Sequence, residues 1–155
     1  DALVPAFVGL GMRDPDALAS AYGQALADSA DPALRRSLVT GATARLEPGA
    51  LDLAELAFRS DPDREVRSRA LFALASQSNV DRAERALHDA LDDPVLGRDA
   101  AWLGTVALAL RNVSGRGADA VLSRVASRLR VQAALGGRDR RELERWLDER
   151  RAGPR

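Results

Sequence analysis

The sequence predicts an all-α protein, an α-solenoid of about four stacked helical hairpins, and three observations carry that expectation. The apolar residues are mostly Ala and Leu, with few aromatic or β-branched side chains, which suits helices better than sheet. Asp-Pro pairs recur at Asp14-Pro15, Asp31-Pro32, Asp61-Pro62 and Asp93-Pro94, the last three 30 and 32 residues apart. A fixed period near that length marks a repeat architecture. Between the pairs, apolar residues return at helical spacing rather than in strand-like alternation.

Each Asp-Pro pair is a physically motivated helix start. Asp accepts the unpaired N–H groups of a first turn, and Pro fits the first helical position, where no N–H is needed. Leu18, Ala21, Tyr22, Ala25 and Leu26 form one stripe, and Leu34, Leu38, Ala42 and Leu46 the next. Leu53, Leu56 and Ala57 follow a Pro48-Gly49 turn, then Val66, Ala70, Ala73 and Leu74. Val80, Ala83, Leu87, Ala90 and Leu91 precede Leu96, Ala100, Leu103, Ala107 and Leu110. Leu122, Val125 and Leu129, and finally Leu143, Trp146 and Leu147, complete the set. Helices are therefore predicted near 2–10, 15–29, 32–46, 50–60, 62–77, 80–92, 94–112, 117–134 and 139–151. Short connections make successive helices antiparallel. The helix at 94–112 is apolar nearly all round and is expected to lie deepest. The whole of 1–155 reads as one domain, with 139–155 a capping helix and tail whose charges leave one face wet.

Composition removes several kinds of chemistry. Without cysteine there is no disulfide, thiolate nucleophile or Cys-ligated zinc. All 23 basic residues are arginine, so no lysine is available for a Schiff base or a P-loop. Arginine without lysine also suggests GC-rich coding and a bacterial source. Formal net charge is zero, so no global field draws the chain to nucleic acid or membrane. The longest near-apolar run, Ala100 to Leu110, is half of the roughly 20 residues a membrane span needs. No leader is visible. The cytoplasm is the default expectation, but the start at Asp1 also fits a processed protein or a part of a larger one.

The segment Asp61-Pro62-Asp63-Arg64-Glu65-Val66-Arg67-Ser68-Arg69-Ala70-Leu71-Phe72-Ala73-Leu74-Ala75 resembles a HEAT repeat of the short, 30-residue kind. Val66, Arg67, Ala70 and Leu74 carry the pattern, with Leu53 to Phe58 and Ala83 to Leu91 as partner helices. Leu34-Arg35 and Leu38 echo it, whereas the unit from Asp93 has Leu96 followed by Gly97 where Arg belongs. The resemblance spans about residues 14–112. It implies a superhelix of hairpins, a structural role for Asp and Arg at the turn, and protein binding as the commonest use. Fold alone does not decide function.

Arginines recur near the starts of the second helices: Arg35 and Arg36, then Arg64, Arg67 and Arg69, then Arg98, then Arg140 and Arg141. One reading is an open row able to fork onto carboxylates or phosphates. The plainer one is a ladder through Asp31, Asp61, Asp63, Asp93 and Asp99 that ties repeats together. Residues 1–110 hold 11 Arg against 17 acids and residues 111–155 hold 12 against 6, so the second part is basic. Arg116, Arg124, Arg128, Arg130 and Arg138 are its candidate contacts. Aromatics are too sparse there for a single-strand stacking platform. The contact set carried forward is Arg35, Arg36, Arg67, Arg69, Arg98, Arg124 and Arg128.

His88 reads as a surface residue, Trp102 as core and Trp146 as the plug of the C-terminal cap. No catalytic residue, cofactor or metal site is predicted. The expected function is a non-catalytic interaction or scaffold module with a protein partner, nucleic acid being disfavoured. Two alternatives remain. One is a nucleic-acid reader similar in fold class to the alkylpurine DNA glycosylases, with Arg98, Asp99 and Trp102 its only suitable cluster. The other is a structural part beside a catalytic domain.

Overall fold

The computed structural model describes residues 14–28, 31–43, 48–76, 80–113 and 116–131, together with Arg145, Asp148 and Glu149. Among these residues the protein is all-helical. The elements are α1 (Pro15–Ala27), α2 (Pro32–Thr43), α3 (Pro48–Ser60), α4 (Arg64–Ala75), α5 (Val80–Asp92), a 3-10 turn (Leu96–Arg98), α6 (Ala100–Leu110) and α7 (Arg116–Val131). The helices predicted at 2–10 and 139–151 lie outside the described residues, except that Arg145, Asp148 and Glu149 are helical and exposed. The chain divides into two compact units, Asp1–Asn79 and Val80–Arg155.

In the first unit each helix packs on the next and on the next but one: α1 on α2 and α3, α2 on α3 and α4, α3 on α4. The interior takes most of the predicted stripes and adds Val39, Ala54, Phe58 and Leu71, whereas Leu56, predicted on a stripe, is 42% exposed. Leu38, Val39 and Ala42 of α2 are buried with Leu53, Ala54, Ala57 and Phe58 of α3 and Val66, Ala70, Leu71 and Leu74 of α4. Small side chains on two sides of a helix let it approach two neighbours at once.

In the second unit α5 packs on α6 and α7, and α6 on α7. Trp102, Leu103, Val106 and Leu110 are buried with Leu87, Leu91, Val121 and Val125. The indole N–H of Trp102 donates to the Ala90 carbonyl at 2.8 Å, so its one polar atom is satisfied in the interior.

Asp residues start the helices as expected, though not always the predicted ones. Asp14 accepts from the Ala17 amide at 2.9 Å, and Asp31 from that of Ala33 at 2.8 Å. The helix predicted from 62 begins instead at Arg64, because Asp63 is the cap and accepts from the Val66 amide at 3.0 Å.

The single helix predicted at 94–112 is broken. The Asp93 carboxylate takes the amides of Val95 and Leu96 at 2.9 and 2.7 Å, which closes a turn rather than a helix. After the 3-10 turn, Asp99 is extended and caps α6 by accepting from the Trp102 amide at 2.8 Å. Nor is α6 covered all round: Leu108 is 50% exposed, and Ala101 is exposed on the same face.

Candidate functional site

The predicted arginines divide into those the fold consumes and those it leaves at the surface. Arg35, predicted as a surface contact, is corrected to an interior residue only 3% exposed. It stands in the first turn of α2, and its guanidinium forks onto Asp61, just beyond α3. Nε donates to Oδ2 at 2.7 Å and Nη2 to Oδ1 at 3.1 Å. Tyr22 of α1 donates its hydroxyl to Oδ2 at 2.7 Å, and the Asp63 amide donates to Oδ1 at 2.8 Å. Four donors fill the acceptor capacity of one carboxylate.

The electrostatics follow from that geometry. Burial pushes the Asp61 carboxyl up, but donation from Arg35 and Tyr22 outweighs it and holds the group below its ordinary value. The bond to Asp61 raises Arg35, and burial followed by the bond to Asp61 raises Tyr22. All three side chains are thereby fixed in the protonation states that suit the network.

Arg67 also turns inward. Its Nε donates to the Phe58 carbonyl at 2.8 Å and its guanidinium lies 5.6 Å from the Phe58 ring centre. Arg35 and Arg67 therefore grip the same end of α3, one from α2 and one from α4. Arg36 is half-buried, and Arg69 is exposed on α4.

In the second unit three predicted arginines gather at one corner. Arg124 and Arg128 lie one turn apart on α7, on the same helix face. Arg124 bonds the Asp92 carboxylate through Nη2, and its Nη1 is 2.8 Å from Nδ1 of His88. A guanidinium only donates, so Nδ1 is the acceptor. His88 is thus half-buried and engaged with α7, a contact that its place beside Asp89 did not suggest. Arg128 donates Nη1 to the carbonyls of Leu91 and Gly97, the latter at 3.2 Å, and its Nη2 is 3.6 Å from Asp92. These positive charges meet the C-terminal end of α5, where helix carbonyls favour cations. Donation from Arg124 holds the Asp92 carboxyl below its ordinary value despite a smaller opposing effect of burial.

This corner encloses a cleft of about 460 Å³ lined by Leu91, Asp92, Asp93, Pro94, Gly97, Arg98, Ser127 and Arg128. Arg98, exposed on the 3-10 turn, and Arg128 on α7 face one space although 30 residues separate them. Gly97 makes the close approach possible: a Cβ there would stand 2.3 Å from the Leu91 carbonyl oxygen.

Sequence reading missed Tyr22, Asp92, Gly97 and Ser127. The signal for Tyr22 was its hydroxyl on an otherwise apolar stripe, which needs a buried acceptor. Gly97 carried one in its lack of a side chain within an apolar stripe, whereas Asp92 carried none, because its partners Arg124 and Arg128 are more than 30 residues away. The glycosylase-like cluster does not assemble as a cleft. Trp102 is fully buried, and Asp99 is occupied as a helix cap.

Among the described residues no group of three His or carboxylate side chains is placed to hold a metal ion. Among them, too, no helix is long and apolar enough to cross a membrane. No family model, no curated protein and no solved structure matches the chain.

Proposed function

We propose that the chain is a non-catalytic protein-interaction module built from stacked HEAT-like hairpins. The observation that carries this is the recurrence of one helix design. Asp63 and Asp99, 36 residues apart, each cap a helix through the third amide that follows. Counted from those caps, Val66, Ala70 and Leu74 correspond to Trp102, Val106 and Leu110, all buried. In the same register Glu65, Ser68, Arg69 and Phe72 correspond to Ala101, Gly104, Thr105 and Leu108, which face outward or are half-buried.

Packing of each helix on the next and the next but one is what stacking demands, since one hairpin cannot bury both sides of its helices. In such a stack the outward residues of the second helices form the binding surface. In the first unit the outward face of α4 is charged, and in the second that of α6 is mostly apolar. Arg36 and Arg69 are the cationic members of the surface in the first unit.

The test is capture of partners by the intact chain from its source cell, repeated with Arg36→Glu and Arg69→Glu together. The proposal expects one protein to be lost with that pair and retained with Arg59→Glu, an exposed arginine on α3. Equal capture by every variant, or turnover of a small molecule by the chain, would count against it.

A further inference from the structure

We infer that the cleft between the 3-10 turn and α7 seats a carboxylate from an acidic segment of a protein partner. This rests on the interaction reading above and names its partner chemistry. Arg98 and Arg128 flank the space, and the exposed Ser127 adds a hydroxyl. Arginine is the side chain best shaped to fork onto a carboxylate. Arg128 is already held by the Leu91 and Gly97 carbonyls, so it needs little ordering when a ligand arrives. A guanidinium carries five N–H donors, so those bonds leave it donors to offer. Pro94, exposed at the rim, supplies an apolar wall for the stem of an incoming side chain.

The acids of the cleft select against a polyanion. Asp93 is turned to the Val95 and Leu96 amides, and Asp92 pairs with Arg124 and Arg128 while its side chain stays 58% exposed. A nucleic-acid backbone brings a charge about every 1.7 Å past both acids and is repelled. The cleft volume suits a side chain with its flanking peptide, being within the range of ligand pockets.

The experiment titrates the full ¹⁵N-labelled chain with an acetylated, amidated peptide that carries one glutamate among alanines. Amide shifts are expected at Gly97, Arg98, Ser127 and Arg128, with affinity that falls as salt rises. Arg98→Gln, at an exposed position that leaves the Arg128 contacts intact, is expected to weaken binding about tenfold. Arg69→Gln is expected to leave it unchanged. Shifts centred on Arg64 and Arg69, or none in the cleft at millimolar peptide, overturn the inference. A short DNA duplex that moves the same amides at lower concentration overturns the choice of ligand. In each of these cases the interaction proposal itself still stands or falls on the capture experiment with Arg36 and Arg69.

Discussion

The two units use the same ion pair, arginine with aspartate, in opposite surroundings. In the first, Arg35 and Asp61 have side chains 4% and 0% exposed, and a buried tyrosine completes the network. In the second, Arg124 and Asp92 are 36% and 58% exposed and share their contacts with His88 and Arg128. Burial raises the cost of breaking a pair, because the charge left behind has no water to replace its partner. Exposure lowers the value of keeping it, because solvent and salt screen it. The first network thus fixes how three helices meet, whereas the second holds α7 by contacts that can exchange with solvent or a ligand.

The largest expected effect is at Asp61. Asp61→Ala strands Arg35 in the interior and should cost about 3–5 kcal/mol. Urea denaturation measures this, and hydrogen exchange should place the loss in α1 to α4. Replacing both partners with apolar residues of similar volume, Arg35→Met with Asp61→Leu, should recover most of that loss.

Next is Gly97→Ala, whose Cβ would strike the Leu91 carbonyl. Backbone must move there, so a loss of about 1–3 kcal/mol is expected in the second unit, with weakened Arg128 contacts. Smaller still is Arg124→Gln, which should cost no more than about 1 kcal/mol, and less in high salt. The exposed Arg59–Glu55 pair on α3, at 2.9 Å, marks the floor: Glu55→Gln should change stability by less than about 0.5 kcal/mol.

Acid sharpens the same contrast. The Asp61 carboxyl titrates below its ordinary value in the folded protein, whereas in the unfolded chain it titrates near ~3.9. Its contribution is therefore complete above that pH and disappears as pH falls through the folded value. The first unit should lose thermal stability below about pH 4, and Asp61→Asn should flatten that dependence.

The all-α class and two of the four Asp-Pro helix starts were legible because Asp, Pro and alanine-rich stripes act locally. Asp14 and Asp31 cap where the sequence placed them, and Trp102 is core as its place on a mostly apolar helix implied. The ladder reading of Arg and Asp described Arg35 and Asp61, but the open-row reading placed Arg35 wrongly. Spacing shows that two residues share a helix face, not whether a third helix covers it. The break before α6 was written in Gly97 and Asp99. An apolar stripe running across both concealed it, since Leu96 sits at helical spacing from Ala100 without belonging to the same helix. The cleft was not legible, because it depends on that break and on a contact between Arg128 and the end of α5.

A double-mutant cycle on each pair tests the contrast most directly. Arg35 and Asp61 should couple by more than about 2 kcal/mol, with little change in molar salt, and Arg124 and Asp92 by less than about 1 kcal/mol, falling as salt rises. Equal coupling energies with equal salt dependence would contradict the claim that burial separates the two pairs.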